Sequence, residues 1–226
     1  MPLILNDRIE KTPWDSHVFG IETYEIKTLN QGVMDEVLKA PGHYTIKVHP
    51  LSSKKILHDN GFYYCDTLIE PYCSKRKFVK WEDAQADITQ KMPLKDLLKI
   101  SHGSYLHGRF HRDFNIDPKL ADVRYDNWLK ELYGKGRVLS LIYAGELAGF
   151  FAYSGNKILL HALGAKHQGR GLAKFLWSAA CDRLFAEGHE EITSSISAIN
   201  SAALNLYISL GFRFRNSCDV YHRLVT

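Results

Sequence analysis

Nothing in the chain is long and apolar enough to cross a bilayer. The longest lightly charged stretch, Val138 to Tyr153, is broken by Glu146 and a turn at Gly145, so it reads as a hairpin. The opening run Met1-Pro2-Leu3-Ile4-Leu5-Asn6 is too short for a signal peptide. These absences predict no membrane partner. Charge of one sign is scarce as well. A net +4 over 226 residues is too small and too dispersed to predict a nucleic-acid partner. The four cysteines, Cys65, Cys73, Cys181 and Cys218, form no C-x-x-C pair, so they read as reduced thiols of a cytoplasmic chain. The 11 histidines show no zinc-ligand spacing among themselves or with the cysteines. His107 and His111 stand four apart without an evident third ligand, and no metal is expected. What remains, 45% hydrophobic and 24% charged residues, suits one large or two small globular domains.

What is present centres on Lys166 to Ala173, a glycine-containing turn between the apolar run Ile158–Ala165 and a helical pattern over 172–186. The first N–H groups of a helix have no intrahelical partner, and the macrodipole adds positive potential there. Gly169 and Gly171 remove Cβ atoms where backbone must approach a ligand. Strand, glycine turn and helix in that order make an anion cradle suited to a pyrophosphate. An ordinary strand-to-helix loop has the same look, so a second signal is needed.

That signal is Asn200-Ser201-Ala202-Ala203-Leu204-Asn205-Leu206-Tyr207-Ile208-Ser209-Leu210-Gly211-Phe212, which follows a strand-like run over 191–197. Gln168-x-x-Gly171-x-Ala173 and Asn200-x-x-Ala203-x-x-Leu206-Tyr207-x-x-x-Gly211-Phe212 together resemble the paired signatures of the GCN5-related N-acetyltransferases (GNAT). The resemblance implies an α/β (α+β) fold with a mixed, mostly antiparallel central sheet flanked by helices, and acetyl-CoA as co-substrate.

Along the chain, residues 1–80 read as a smaller β-α-β-α-β unit: strand 22–27, helix 31–39, strand 44–49, short helix 52–60 and strand 63–69. Leu57 to Phe62 repeats the helix-to-Gly-Phe grammar of Leu206 to Phe212, which suggests a reduced relative of the second domain. Residues 81–226 read as the acetyltransferase domain, with helices over 93–106 and 119–133, strands over 137–143, 147–153, 158–165 and 213–224, and the two signatures. The order Trp14-x-x-x-x-Phe19-Gly20, Leu57-x-x-x-Gly61-Phe62, Arg109-Phe110, Tyr125-x-x-Trp128 and the Asn200/Tyr207 segment is similar to that of nucleotide-amino-sugar N-acetyltransferases of bacterial glycan synthesis, those acting on dTDP-fucosamine included.

The resemblance also distributes roles. The strand backbone at His161, Ala162 and Leu163 would pair with pantetheine, with the Leu163 N–H polarising the thioester carbonyl. Gln168, Gly169, Arg170, Gly171, Leu172, Ala173 and Lys174 would hold the pyrophosphate, and Asn200 the cofactor arm. Tyr207 would be the general acid, its unperturbed pKa near ~10 matching a thiolate leaving group. Many relatives carry a Glu before the Asn as base, but here Ser194, Ser195 and Ser197 stand in that region. Deprotonation of the amine is therefore expected through water, aided by His161 or His107. As a satisfied strand histidine, His161 would need no such role. His107, Arg109, Phe110 and Arg112 are expected to bind the acceptor, a nucleotide-linked 4-amino-4,6-dideoxyhexose. There guanidinium groups would meet two phosphates and an aromatic ring would stack on the base. A homodimer is compatible with this reading. A peptide N-terminal or small-amine acetyltransferase, or a non-catalytic acyl-CoA-binding protein, would share the cradle.

Overall fold

The computed structural model describes residues 7–226, so the opening run Met1–Asn6 lies outside it. The chain forms β1 (Ile9–Lys11), α1 (Pro13–Phe19), β2 (Thr23–Ile26), α2 (Gln31–Val37), β3 (Gly42–Val48) and α3 (Lys55–Asp59). It continues through β4 (Tyr63–Ser74), β5 (Ala86–Thr89), α4 (Leu94–Ser101), α5 (Pro118–Gly134), β6 (Val138–Tyr143), β7 (Glu146–Ser154) and β8 (Lys157–Leu163). α6 (Ala173–Ala186), β9 (Glu191–Thr193), β10 (Ile196–Ser197), α7 (Ser201–Ser209) and β11 (Arg213–Val225) complete it. Among the described residues no helix is long and apolar enough to cross a membrane.

Contacts group the chain into two units. One takes the described part of Met1–Leu68 with Leu106–Arg124 and Ser217–Thr226, the other Ile69–Tyr105 with Tyr125–Asn216. This grouping differs from a single cut near residue 80. The long strands β4 and β11 each leave one unit and enter the other. The stretch after α4 joins the first unit because Asp113 is hydrogen-bonded there to His43 and His222.

In the first unit the strand order is β1-β2-β3-β11-β4, with β2 and β3 parallel and β11 antiparallel to β3. Its core is Ile9, Ile26, Val33, Met34, Tyr44, Ile46 and Leu57 with Tyr221 of β11. The segment opening at Trp14 is helical, with Pro13 in its first turn and Gly20 closing it at φ 68°. The shared Gly-Phe grammar is physical. Gly61 (φ 72°) and Gly211 (φ 82°) end α3 and α7 in the left-handed conformation. In each case the following Phe N–H reaches back five residues, Phe62 to the Leu57 carbonyl at 2.9 Å and Phe212 to the Tyr207 carbonyl at 3.0 Å.

In the second unit the order is β4-β9-β8-β7-β6-β5, antiparallel except between β8 and β9. One sheet face carries Phe151, Tyr153 and Ile158 against Leu176, Trp177, Cys181 and Leu184 of α6 and Tyr207 of α7. The other carries Val138, Phe150, Ala152 and Leu160 against Leu97 of α4 and Leu129 and Leu132 of α5. A sheet with apolar residues on both faces must be covered by helices on both, which is the mixed, helix-flanked arrangement the sequence predicts. α4 is shorter than expected. It stops at Ser101 because Ser101 and His102 turn their side chains to Asp126 and Gly103 takes φ 77°. The run 191–197 is also split, since the Ser194 N–H bonds the Pro71 carbonyl between β9 and β10.

Candidate functional site

Among the described residues β8 pairs with its parallel neighbour β9 only through Lys157 and Thr193. Beyond that point the two strands part. On its other edge β8 is fully paired with β7, Phe150 opposite Ala162 and Gly149 opposite Leu163. The Gly164 N–H donates to the Ala148 carbonyl at 2.8 Å, which fixes the alternation. Leu160 and Ala162 turn their backbone groups to β7, while His161 and Leu163 turn theirs to the side that β9 has left. The expectation for Ala162 is thereby corrected, because its backbone belongs to the ladder. Its carbonyl comes so close to Gly149 that any Cβ there would collide with it. The unpaired edge is a short row of backbone donors and acceptors, suited to an extended ligand lying as an added strand.

At the end of this edge stands the glycine turn. Gly169 and Gly171 take φ 71° and 70°, and around both there is open space where a side chain would project. No side chain caps α6 at Leu172, so the N–H groups of its first turn have no side-chain acceptor there. The Leu172 side chain is buried, and only its backbone belongs to the cradle. The Gln168 amide donates to the Leu163 carbonyl at 2.7 Å, tying the turn to β8. Lys166 pairs with Glu146 at 2.6 Å, whereas Arg170 is exposed. His167 is buried, and neither ring nitrogen has a partner among the described residues. A helix start without a side-chain cap, two glycines in the left-handed region and a buried imidazole with unmet polar atoms all fit an anion such as a diphosphate.

On the β8 face, the Tyr207 hydroxyl lies 3.1 Å from His161 Nε2, and His161 stands edge-on to Trp177 at 5.1 Å. Burial pushes the Tyr207 hydroxyl well above its ordinary pKa, with the Ser194 hydroxyl opposing. The expectation of an unperturbed tyrosine is thus corrected, since this hydroxyl stays protonated over the physiological range. Burial lowers His161 to about 4, so its imidazole is neutral and a weak base. Ser194 donates to the Ile158 carbonyl at 3.2 Å. Asn200 caps α7, its Oδ1 accepting from the Ala203 N–H at 3.1 Å.

One arrangement in this unit has no sequence signal. Asp126 of α5 accepts from buried Ser101 Oγ at 2.7 Å and bonds His102 Nδ1 at 2.8 Å, leaving the imidazole largely exposed. Ile100, two residues earlier, packs toward Gly164 at the end of β8. Serine, histidine and aspartate at positions 101, 102 and 126 fit no spacing rule; only the packing of α4 beside α5 joins them.

The expected acceptor residues lie in the first unit. His107 is exposed. Phe110 is buried, against Phe19 at 5.0 Å and His222 at 5.4 Å, with the guanidinium groups of Arg109 and Arg124 each 4.8 Å from its ring centre. It is a core residue and cannot stack on a base, which corrects that expectation. Arg112 pairs with buried Asp66 at 3.0 Å and lies over Tyr64. Asp113 accepts from His43 Nε2 and His222 Nδ1 at 2.7 Å each, from the Tyr63 hydroxyl at 2.8 Å and from the Asn115 N–H at 2.9 Å. Burial alone would raise its pKa, but the bonds from the two histidines outweigh it and hold the carboxyl well below the usual range. No histidine spacing announces this cluster, because its members lie far apart in the chain. Their ligand-type atoms fall within 4.8 Å of one another, yet both Asp113 oxygens are already hydrogen-bonded.

Residues 104–212 match the model of the acetyltransferase (GNAT) family. No curated protein sequence matches the chain. Solved structures share its fold at low identity. A functionally unknown conserved protein from Staphylococcus epidermidis aligns with TM-score 0.65 and 12% identity over 100% of this chain and 94% of its own. A GCN5-related N-acetyltransferase from Sphaerobacter thermophilus aligns with TM-score 0.62 and 10% identity over 90% and 73%. A GCN5-related glucosamine N-acetyltransferase region of a fungal multi-domain GH3 β-N-acetylglucosaminidase aligns with TM-score 0.59 and 10% identity over 90% of this chain and 30% of that one.

Proposed function

We propose that the protein is an acetyl-CoA-dependent N-acetyltransferase whose acceptor is the amine of a nucleotide-linked amino sugar. The observation that carries the transferase reading is the joint placement of the cradle, the open β8 edge and the Tyr207–His161 pair in one unit. Bound acetyl-CoA supplies a thioester whose carbonyl carbon accepts an amine and whose sulfur departs as a thiolate. N–H groups from Gly169 to Lys174 hold the diphosphate. Tyr207 donates a hydrogen bond from its hydroxyl to the sulfur as the C–S bond breaks, and in a dry site that bond strengthens with the developing charge. Because Tyr207 adjoins His161, the N–H nearest the reacting carbonyl is that of His161. The Leu163 N–H, two residues nearer the cradle, serves the pantetheine arm. This reverses the order expected from the sequence.

A base for the amine is sought in the same unit. His161 is too weakly basic and faces Tyr207. His102, its Nδ1 hydrogen-bonded to Asp126 and its ring largely exposed, is the histidine of this unit to which we assign that role. The acceptor class rests on the order of motifs along the chain, and a fold neighbour named for glucosamine acetylation is consistent with it. Thiol release from acetyl-CoA tests the proposal, using a nucleotide-linked 4-amino-4,6-dideoxyhexose, the free amino sugar and a peptide amine as acceptors. The nucleotide form should have the highest kcat/KM, by at least ~10-fold or about 1.4 kcal/mol. A better rate on the peptide would replace the acceptor class, and no turnover with any amine would remove the transferase reading.

A further inference from the structure

Trp81 lies in the segment between β4 and β5 and is one of the exposed large apolar side chains. It is nonetheless fixed at two points. Its backbone N–H donates to Ser178 Oγ of α6 at 2.9 Å, and its indole N–H donates to the Ser209 carbonyl at the end of α7 at 2.9 Å. Over the ring, 3.9 Å from its centre, lies the ammonium of Lys174, the second residue of α6 and the third after Gly171. Lys174 makes no ion pair among the described residues, whereas nearby Lys80 is held by Glu82 and Asp182. A clasp between α6 and α7 accounts for the two hydrogen bonds. It does not account for an exposed indole with an unpaired cation beside the cradle.

We propose that Trp81 and Lys174 form the subsite for the 3′-phosphoadenosine end of coenzyme A. The inference rests on the cradle holding the diphosphate. With the pantetheine arm along β8, the adenosine must leave the cradle on the other side, over the first turn of α6. There adenine stacks on the indole, and the Lys174 ammonium moves from the ring to the 3′-phosphate. The indole needs no rearrangement, because its N–H bond to Ser209 and the Trp81 backbone bond to Ser178 already hold the residue in place, which limits the ordering cost of binding.

Calorimetric titration with coenzyme A, 3′-dephospho-coenzyme A and 4′-phosphopantetheine separates the parts. Trp81→Leu should weaken both adenosine-containing ligands roughly 10-fold or more, as loss of one base–aromatic stack does, and leave 4′-phosphopantetheine unchanged. Lys174→Gln should weaken coenzyme A but not its dephospho form. Should Trp81→Leu not fold, Lys174→Gln carries the test, since its expected effect is a difference between two ligands on one protein. Equal losses for all three ligands, or none for any, would overturn the subsite while leaving the cradle intact. Failure of the wild type to bind coenzyme A at all would overturn the cofactor reading and this subsite with it.

Discussion

Replacing Asp113 by Ala tests whether the buried carboxylate organises the first unit. The substitution removes the acceptor of His43 Nε2 and His222 Nδ1, both on fully buried rings, and of the Tyr63 hydroxyl. Tyr63 is partly exposed and keeps Asn115 as a partner, so its loss counts least. Each of the two fully buried donors left unpaired costs about 1–3 kcal/mol, so we expect a loss of about 2–6 kcal/mol. Asp113→Asn should lose less, because the histidines can change tautomer and accept from its amide. Urea unfolding followed by circular dichroism reads both variants, and an Asp113→Ala protein within ~1 kcal/mol of wild type would refute the reasoning. The same cluster sets a pH dependence. Burial depresses the His222 pKa below its unfolded value, so the unfolded chain takes up that proton first. Stability is then full above pH ~6.5 and falls toward lower pH by up to ~1.4 kcal/mol per unit for each such histidine. His161 acts with the same sign, and the depressed Asp113 carboxyl extends the loss below pH ~4. A wild-type midpoint unchanged between pH 8 and 5 would contradict this.

Two kinetic outcomes accompany it. Tyr207→Phe keeps the ring in the core but removes the hydroxyl beside His161, so kcat should fall roughly 10²-fold with coenzyme A affinity unchanged; wild-type kcat would assign the proton to another group. His102→Gln should lower kcat/KM for the acceptor roughly 10²-fold without altering coenzyme A binding, and imidazole added to His102→Ala should restore part of the rate; an unaffected rate would remove His102 as the base.

The fold and the glycine turn before α6 were legible because they are written in local signals. Gly169 and Gly171 bracket a turn, Gly61 and Gly211 close helices before a Phe, and alternation marks β6 to β8. What stayed hidden depends on side chains that meet across long separations. An Arg-Phe pair in a loop looks like a binding surface, but burial of Phe110 under Phe19 and His222 depends on the segments that pack on that loop. The Asp113 cluster joins positions 43, 113 and 222, and the Ser101–His102–Asp126 arrangement joins two helices, so neither leaves a spacing pattern. The raised pKa of Tyr207 follows from its complete burial, which periodicity places in a core without saying how deep.

If the turn at Gly169–Gly171 holds the diphosphate of acetyl-CoA, calorimetric titration of Gly171→Asp with coenzyme A will register it. Gly171 sits at φ 70° with open space beside it, so Asn is tolerated there and Gly171→Asn controls for backbone strain. One binding site is expected in the wild type and is retained in Gly171→Asn. In Gly171→Asp affinity should fall by roughly 100-fold or more, because a carboxylate would share the cradle with the diphosphate, while the circular dichroism spectrum stays the same. Wild-type affinity in Gly171→Asp would place coenzyme A away from this turn.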